Sequence, residues 1–193
     1  MKLIHINGPY PYQTNTFVII GSEANAVIID PAARVQQYLD VLSENGAKLN
    51  AIMLTHGHHD HIAAVNELMA ITGAKLYMNK RDRGISKLTE TDEYIDNEQI
   101  KIDDINITPV FTPGHTGGSV CLLCEDMLFA GDTIFAGDVG RTDLEGGSSD
   151  EQKLSLAILA KRIPTDTRIF PGHGDFTDMA SELKHNMYLK SVL

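Results

Sequence analysis

The feature that most limits what this chain of 193 residues can fold into is the histidine-rich stretch at positions 55–61, here called the histidine segment. Four good ligands for a borderline metal ion fall within six residues of this segment: His56, His58, Asp60 and His61. A catalytic zinc ion needs about three protein ligands and keeps one position for water. One segment cannot supply two such sets, so we expect further ligands from distant parts of the chain.

Three more candidate ligands follow predicted strands, and each stands next to a glycine. They are His115 in Pro113-Gly114-His115, Asp132 in Gly131-Asp132-Thr133, and His173 in Pro171-Gly172-His173-Gly174. Because glycine has no side chain, it lets the backbone approach a site closely. The sequence therefore predicts one metal centre built from the histidine segment and three later loops.

Stretches typical of strands and of amphipathic helices alternate along the chain. The predicted strands are 2–6, 16–20, 26–29, 51–54, 75–78, 105–111, 119–123, 127–130 and 168–170. The predicted helices occupy 32–45, the stretch from the histidine segment to Gly73, the stretch from a capping box at Ser149-Asp150-Glu151-Gln152 to Pro164, and the C-terminal end. This mixture predicts an α/β layered sandwich in one domain, 1–193, and argues against an all-β barrel or a helical bundle.

Composition narrows the classes of function. Apolar residues make up 42% and charged residues 22% of the chain, as in an ordinary folded soluble protein. The net charge of −10 repels phosphate backbones, so we expect no nucleic-acid partner. No aliphatic stretch approaches the roughly 20 residues that span a bilayer, and the N-terminus lacks the apolar core of a secretory signal. With two cysteines only, these features favour a cytosolic protein without a membrane partner, and they carry no signal for an oligomeric state.

The four ligand-bearing segments resemble, in order and rough spacing, the metal-binding segments of the metallo-β-lactamase superfamily, and the resemblance covers essentially the whole chain. The run Gly131-Asp132-Thr133-Ile134-Phe135, with Gly140-Arg141-Thr142-Asp143, resembles the hydroxyacylglutathione hydrolase (glyoxalase II)-like branch. The resemblance implies an αβ/βα sandwich of two mixed β-sheets flanked by helices, with the metals where the two sheets meet. Glyoxalase II proper adds a C-terminal helical domain for glutathione, which we do not expect here because the chain ends soon after His173.

The resemblance also implies a ligand set for two metal ions. One ion would be bound by His56, His58 and His115, the other by Asp60, His61 and His173, and Asp132 would bridge both. The implied cofactor is a pair of zinc ions, with iron or a mixed pair as the alternative. The ions would share a hydroxide that attacks a carbonyl group, and Asp60 would also steer that hydroxide. Asp30, which ends a strand-like run, is expected to hold one ligand imidazole by a hydrogen bond.

The expected reaction is hydrolysis of a small-molecule thioester such as S-lactoylglutathione, or of a related small ester. Persulfide dioxygenases resemble the same motifs but hold a single iron on the equivalents of His56, His115 and Asp132, so this second enzyme class stays open. A lactone hydrolase and a non-catalytic binding protein are further alternatives. Arg141 is expected either to bind an anionic part of the substrate or to pair with Asp143.

Other conspicuous residues are expected to have structural roles. His59 stands at the variable place inside the histidine segment, so its side chain should point away from the metals. Cys121 and Cys124 lie three residues apart in a strand and should face opposite sides as buried thiols. The charged stretch 80–83 is interpreted as a solvated helix face, with the mouth of the pocket as the alternative.

Overall fold

Two six-stranded β-sheets form the centre of the fold in the computed structural model, which describes all 193 residues. The first sheet contains, in spatial order, β1 (Lys2–Asn7), β2 (Asn15–Ile20), β3 (Asn25–Ile29), β4 (Lys48–Met53), β5 (Lys75–Met78) and β6 (Asp92–Glu93). Its first three strands form an antiparallel meander, and β3 to β6 run parallel to one another. Parallel neighbours need crossover connections, and helices supply these after β3, β4 and β5.

The second sheet is mixed as well. The remaining strands, in chain order, are β7 (Ile100–Ile102), β8 (Ile105–Phe111), β9 (Val120–Cys124), β10 (Met127–Gly131), β11 (Ile134–Phe135), β12 (Asp138–Val139), β13 (Arg168–Pro171) and β14 (Thr177–Asp178). Strands β7 to β10 form an antiparallel meander, β13 pairs with β10 in parallel, and β14 pairs antiparallel with β13. Strands β11 and β12 form a separate hairpin.

Helices flank both sheets. They are α1 (Val35–Glu44), α2 (Val65–Thr72), α3 (Arg83–Ser86), α4 (Ser149–Arg162), α5 (Met179–His185) and α6 (Met187–Lys190). Apolar residues of α1 and α2 pack against the first sheet, and those of α4, α5 and α6 pack against the second. None of these helices combines the length and the apolar character that a membrane crossing requires.

Three apolar clusters hold the layers together, and alternation along each strand decides which cluster a side chain joins. In β2, Phe17 and Ile19 pack between the two sheets, whereas Val18 and Ile20 face α1 and α2. A third cluster lies between the second sheet and α4 to α6. Because β2 is covered on both faces, its apolar residues form a continuous run. The resulting order of helices, sheet, sheet and helices confirms the predicted α/β sandwich.

The two cysteines follow the same alternation. Cys121 joins the cluster beneath α4, and Cys124 joins the cluster between the sheets. Both thiols are unpaired and buried, and burial raises the pKa of each to about 11. The prediction of two buried thiols on opposite faces of one strand is confirmed.

Five short strands of the structure, β6, β7, β11, β12 and β14, were not predicted, and three further details differ from the expectations. Helix α4 is capped by Ser148 and not by Ser149, because the Ser148 side chain accepts a hydrogen bond from the Glu151 N–H. The expected C-terminal helix is interrupted at Asn186, whose side chain accepts hydrogen bonds from the first N–H groups of α6. The charged stretch forms a 3-10 turn, Lys80–Asp82, before α3. At both helix starts a side-chain oxygen pairs with N–H groups that the first turn leaves free.

Candidate metal centre

All seven predicted ligands lie at one edge of the sandwich, because each follows a strand whose carboxyl end points to that edge. The histidine segment follows β4, which runs parallel to β3 and β5. In the second sheet β8, β10 and β13 share one direction, since β9 is antiparallel to both β8 and β10. His115, Asp132 and His173 follow these three strands. Strand direction alone therefore brings four distant segments of the chain together.

The ligands form two groups of three. The first cluster is defined as His56, His58 and His115, and the second cluster as Asp60, His61 and His173; within each, the ligand atoms lie within 4.8 Å of one another. In the first cluster, His58 Nδ1 lies 2.8 Å from His115 Nε2. In the second, His173 Nε2 lies 3.3 Å from His61 Nε2 and 3.3 Å from Asp60 Oδ2. Each group offers three ligand atoms that could hold one divalent cation.

Asp132 lies between the two clusters and faces both. Its Oδ2 is 3.3 Å from Nε2 of His115 in the first cluster and 3.5 Å from Nε2 of His173 in the second. Its Oδ1 is 3.5 Å from Nε2 of His61. Since a carboxylate offers two oxygens, this position suits a ligand shared by two ions.

Hydrogen bonds on the outer side of the imidazole rings orient three of the ligands. The Nδ1 atoms donate as follows: His61 to Asp30 Oδ2 at 2.9 Å, His115 to the Arg141 carbonyl at 2.7 Å, and His173 to the Tyr12 carbonyl at 3.0 Å. Carboxylate and carbonyl oxygens only accept, so Nδ1 carries a proton in each ring. The Nε2 atoms consequently face the centre and are the atoms that could bind a metal.

Asp30 is the buried carboxylate that was expected to hold a ligand ring, and the structure places it in that contact. It also accepts hydrogen bonds from the backbone N–H of Thr55 at 2.8 Å and from the Thr55 hydroxyl at 2.6 Å. Gly131 makes room for Thr55, because its φ is 49° and a Cβ there would overlap the threonine side chain. The end of β3 thereby fixes the start of the histidine segment.

Two buried atoms in the centre have no hydrogen-bond partner within the protein, namely His56 Nε2 and Asp132 Oδ1. A buried polar atom left without a partner costs about 1–3 kcal/mol, so its presence needs an explanation. Imidazole nitrogens and carboxylate oxygens are ligands that zinc and iron accept. The donor set and these two atoms therefore fit a pair of divalent cations.

Two imidazoles of the first cluster, those of His56 and His58, resist protonation. Burial lowers the pKa of His56 well below its ordinary value, and the neighbouring rings of His61 and His115 lower it further. Burial and the ring of His115 likewise lower the pKa of His58. Neutral imidazole is the form that binds a metal, so these two rings are ready for a cation at neutral pH.

The second cluster is charged in the metal-free protein. Burial by itself would lower the pKa of His173, but hydrogen bonds with Asp132 and Asp60 outweigh it and raise that pKa to about 10. Burial would raise the pKa of Asp60 and of Asp132, yet the hydrogen bond from His173 and the charge of His61 hold both below their usual range. A protonated imidazole therefore faces ionised carboxylates here, and a cation has to displace protons to bind.

The two clusters open into a cleft of about 560 Å³. Apart from ligands, its wall consists of Tyr12, His59, Phe135, Val139, Gly140, Arg141 and Leu144. The exposed ring of His59 packs edge-on against Tyr12, with 5.1 Å between the ring centroids, and belongs to neither cluster. Arg141 donates to both carboxylate oxygens of Asp143 at 2.7 and 2.8 Å. Of the two roles expected for Arg141, the structure shows the pairing with Asp143. Substrate binding by Arg141 stays a prediction.

Comparison with known proteins identifies the family. The profile of the metallo-beta-lactamase superfamily matches residues 9–173. The chain belongs to this superfamily. Its fold is therefore the metallo-β-lactamase sandwich that the sequence predicted, and its functional class is that of a metal-dependent hydrolase of the superfamily.

Individual relatives match the chain along nearly its whole length. The probable polyketide biosynthesis zinc-dependent hydrolase PksB of Bacillus subtilis is 30% identical over 98% of this chain and 88% of its own. The hydroxyacylglutathione hydrolase GloC of Haemophilus influenzae is 30% identical over 93% of this chain and 94% of its own. Among solved structures, TTHA1623 in a di-iron-bound form matches with a TM-score of 0.82 and 26% identity, covering 96% of this chain and 99% of that one.

Sequence reasoning missed two contributors to this metallo-β-lactamase centre. The interpretation of 80–83 as a solvated face is wrong for Asp82, which is 0% exposed and accepts hydrogen bonds from backbone N–H groups of Gly57 and Gly118. No sequence pattern marked Asp82, because only the pairing of β5 with its parallel neighbour β4 brings it next to the histidine segment. Tyr12 had no signal either, since its carbonyl reaches His173 from a turn between β1 and β2.

Ligand substitutions should remove metal selectively. We expect His58→Ala to lose one of two bound ions, because His58 belongs to the first cluster alone. Asp132→Ala should weaken the binding of both ions, because the Asp132 carboxylate faces both clusters. Each should also lose most of the hydrolytic rate. Elemental analysis after dialysis measures the metal, and His59→Ala, from outside both clusters, is the matched control with full content. Wild-type metal content in His58→Ala would contradict the assignment.

Metal binding should release protons from the second cluster. With its pKa near 10, His173 is protonated at pH 7 in the metal-free protein, and a ligand imidazole must be neutral. We expect release of about one proton from this ring, and an affinity of the second cluster that rises with pH toward 10. Calorimetric titration with Zn²⁺ in buffers of different ionisation enthalpy measures the release, and His173→Ala should release about one proton fewer. Heats that do not depend on the buffer would refute this.

Proposed function

We propose that this protein is a dinuclear metal-dependent hydrolase that cleaves a small thioester or a related ester. The observation that carries the proposal is the pair of three-ligand clusters with Asp132 between them, in one open cleft. A single ion would need one such cluster, so two clusters that share a carboxylate favour two ions. Their proposed ligands are the seven residues described above.

Two divalent cations, most simply zinc, would lower the pKa of water to about 7 and polarise an acyl carbonyl in this cleft. The chain itself supplies positioning. Asp60 lines the cleft, its low pKa keeps it ionised at neutral pH, and the Thr14 hydroxyl donates to its Oδ2 at 3.2 Å. An ionised carboxylate held in this way can accept a hydrogen bond from the attacking water and orient it, which is the catalytic role that we propose for Asp60.

The cleft favours a compact acyl group with a thiolate leaving group. Phe135, Val139 and Leu144 give its wall an apolar side, and exposed Arg141 supplies a cation near them. A thiol has a pKa of about 8.5, so a thiolate can depart with little help from a general acid. An acyl group against the apolar residues and an anionic carrier near Arg141 would match this lining.

The relatives support this substrate class. GloC is named as a hydrolase of hydroxyacylglutathione, PksB as a zinc-dependent hydrolase, and TTHA1623 holds two irons. S-lactoylglutathione is therefore the first substrate to test, and we propose zinc before iron as the resident metal. Two unpaired thiols suit a reducing compartment, so the proposed setting is the cytosol, with a small-molecule partner.

Metal content measured beside catalysis tests the proposal. We expect about two zinc ions per chain in protein purified without added metal, together with hydrolysis of S-lactoylglutathione that a chelator abolishes and Zn²⁺ restores. An oxygen ester and a lactone in the same panel define the leaving group. About one iron per chain with oxygen uptake on glutathione persulfide would replace the hydrolase by the dioxygenase alternative.

Arg141 should contribute to substrate binding and little to the chemical step. If it pairs with a substrate anion, Arg141→Ala should raise KM for an anionic thioester about 3- to 10-fold with kcat nearly unchanged, as for the loss of one charged contact at an exposed site. A neutral thioester should be unaffected. Asp143→Ala is the matched control and should not raise KM. Equal effects of both substitutions on both substrates would show that the pair only shapes the loop.

A further inference from the structure

Asp82 is a buried carboxylate outside the ligand set. Its Oδ2 accepts hydrogen bonds from the Gly57 N–H at 2.8 Å and the Thr116 hydroxyl at 2.7 Å, and its Oδ1 accepts one from the Gly118 N–H at 2.7 Å. No lysine or arginine forms an ion pair with it, although Arg81 and Arg83 stand on either side in the chain. A buried carboxyl group without hydrogen-bond partners is costly, and these three donors provide the partners.

The three donors belong to the segments that carry the first cluster. Gly57 stands between His56 and His58, and Thr116 and Gly118 belong to the turn that follows His115. Asp82 thus joins the two segments from which all three ligands of this cluster come. It does so at close range, because a Cβ on Gly118 would overlap the Asp82 carboxylate and a Cβ on Gly57 would lie 3.0 Å from the Asp82 Cβ.

The second cluster depends on other residues. Asp30 orients His61, the Tyr12 carbonyl orients His173, and Thr14 donates to Asp60. None of these hydrogen bonds involves Asp82. The two buried carboxylates lie shortly after β3 and β5, on either side of the histidine segment that follows β4.

We propose that Asp82 is a positioning residue for the first metal cluster: it holds His56, His58 and His115 at the spacing that binds one divalent cation. The proposal rests on the two-cluster assignment of the proposed function. Removing a hydrogen-bond partner that orients metal ligands typically lowers metal affinity 10- to 100-fold. Asp82 should have an effect of this size on the first cluster and leave the second cluster unchanged.

The replacement Asp82→Asn tests the proposal, because it keeps the size of the side chain but removes one of its two acceptor oxygens. The probe is Co²⁺, added to metal-free protein and followed by its visible absorption, with Zn²⁺ affinities measured by chelator competition. We expect one site to weaken 10- to 100-fold and its absorption band to change, while the other site keeps its wild-type affinity. Asp92→Asn, an exposed carboxylate of β6, is the matched control and should bind like wild type.

Two variants that each lack one predicted ligand identify which of the two sites is weakened. In His173→Ala, which leaves the first cluster intact, adding Asp82→Asn should weaken the remaining ion 10- to 100-fold. In His58→Ala, which leaves the second cluster intact, it should change nothing. An equal effect in both backgrounds, or none in either, would overturn the proposal, because a residue that only stabilises the fold would not distinguish the clusters.

A milder variant covers the case in which Asp82→Asn does not fold, as judged by circular dichroism. Thr116→Val removes one donor and keeps the carboxylate, and it should weaken the same site several-fold. Unchanged affinity at that site would count against Asp82. No substrate is present in these titrations, so they test the role of Asp82 separately from the reaction. If Asp82→Asn weakens only the first site but the protein hydrolyses no thioester, the proposed function is contradicted and the role of Asp82 is not.

Discussion

The hydrogen bonds that Asp30 accepts join the metal centre to the sandwich. One carboxylate receives the backbone N–H and the hydroxyl of Thr55 and also the Nδ1 proton of His61. Asp30 adopts a φ of 48°, which is unfavourable for a residue with a side chain and costs on the order of 1 kcal/mol. Three hydrogen bonds to a buried charge offset that cost. The histidine segment follows β4, and Asp30 at the end of β3 therefore fixes both the first residue of the segment, Thr55, and the ring of His61.

The scaffold and the centre rely on different forces. Three apolar clusters stabilise the layers, and none of them contains a predicted ligand. In the centre, the carboxylates of Asp60 and Asp132 face the protonated imidazole of His173, so opposite charges already meet there before any cation enters. Small domains held together by a structural zinc ion differ, because they unfold without it. Here the sheets and helices can hold the ligands in place, which leaves the metals available for chemistry.

Much of the fold and of the ligand set could be predicted from the sequence, because local patterns carry that information. The stretch 16–20 predicts a strand, and glycines beside His115, Asp132 and His173 mark close approach after strands. The contribution of Asp82 could not be read in this way. Its charged neighbours are typical of a solvated face, and only the pairing of β5 with β4, a tertiary fact, turns its carboxylate inward. The carbonyl of Tyr12 acts through the backbone, so no side-chain pattern reports it.

The predicted ligands determine the type of reaction more strongly than they determine the choice of substrate. The seven predicted ligand positions depend on strand ends that the whole sandwich fixes, whereas the cleft wall comes from loops and a two-stranded hairpin. Its residues include Tyr12 and His59, whose rings are in contact, and Phe135 and Leu144. These residues can change without moving a strand end, because none of them supplies a ligand side chain. For the proposed hydrolase, substrate choice would therefore depend on the wall, and activation of water would depend on the sheet edges.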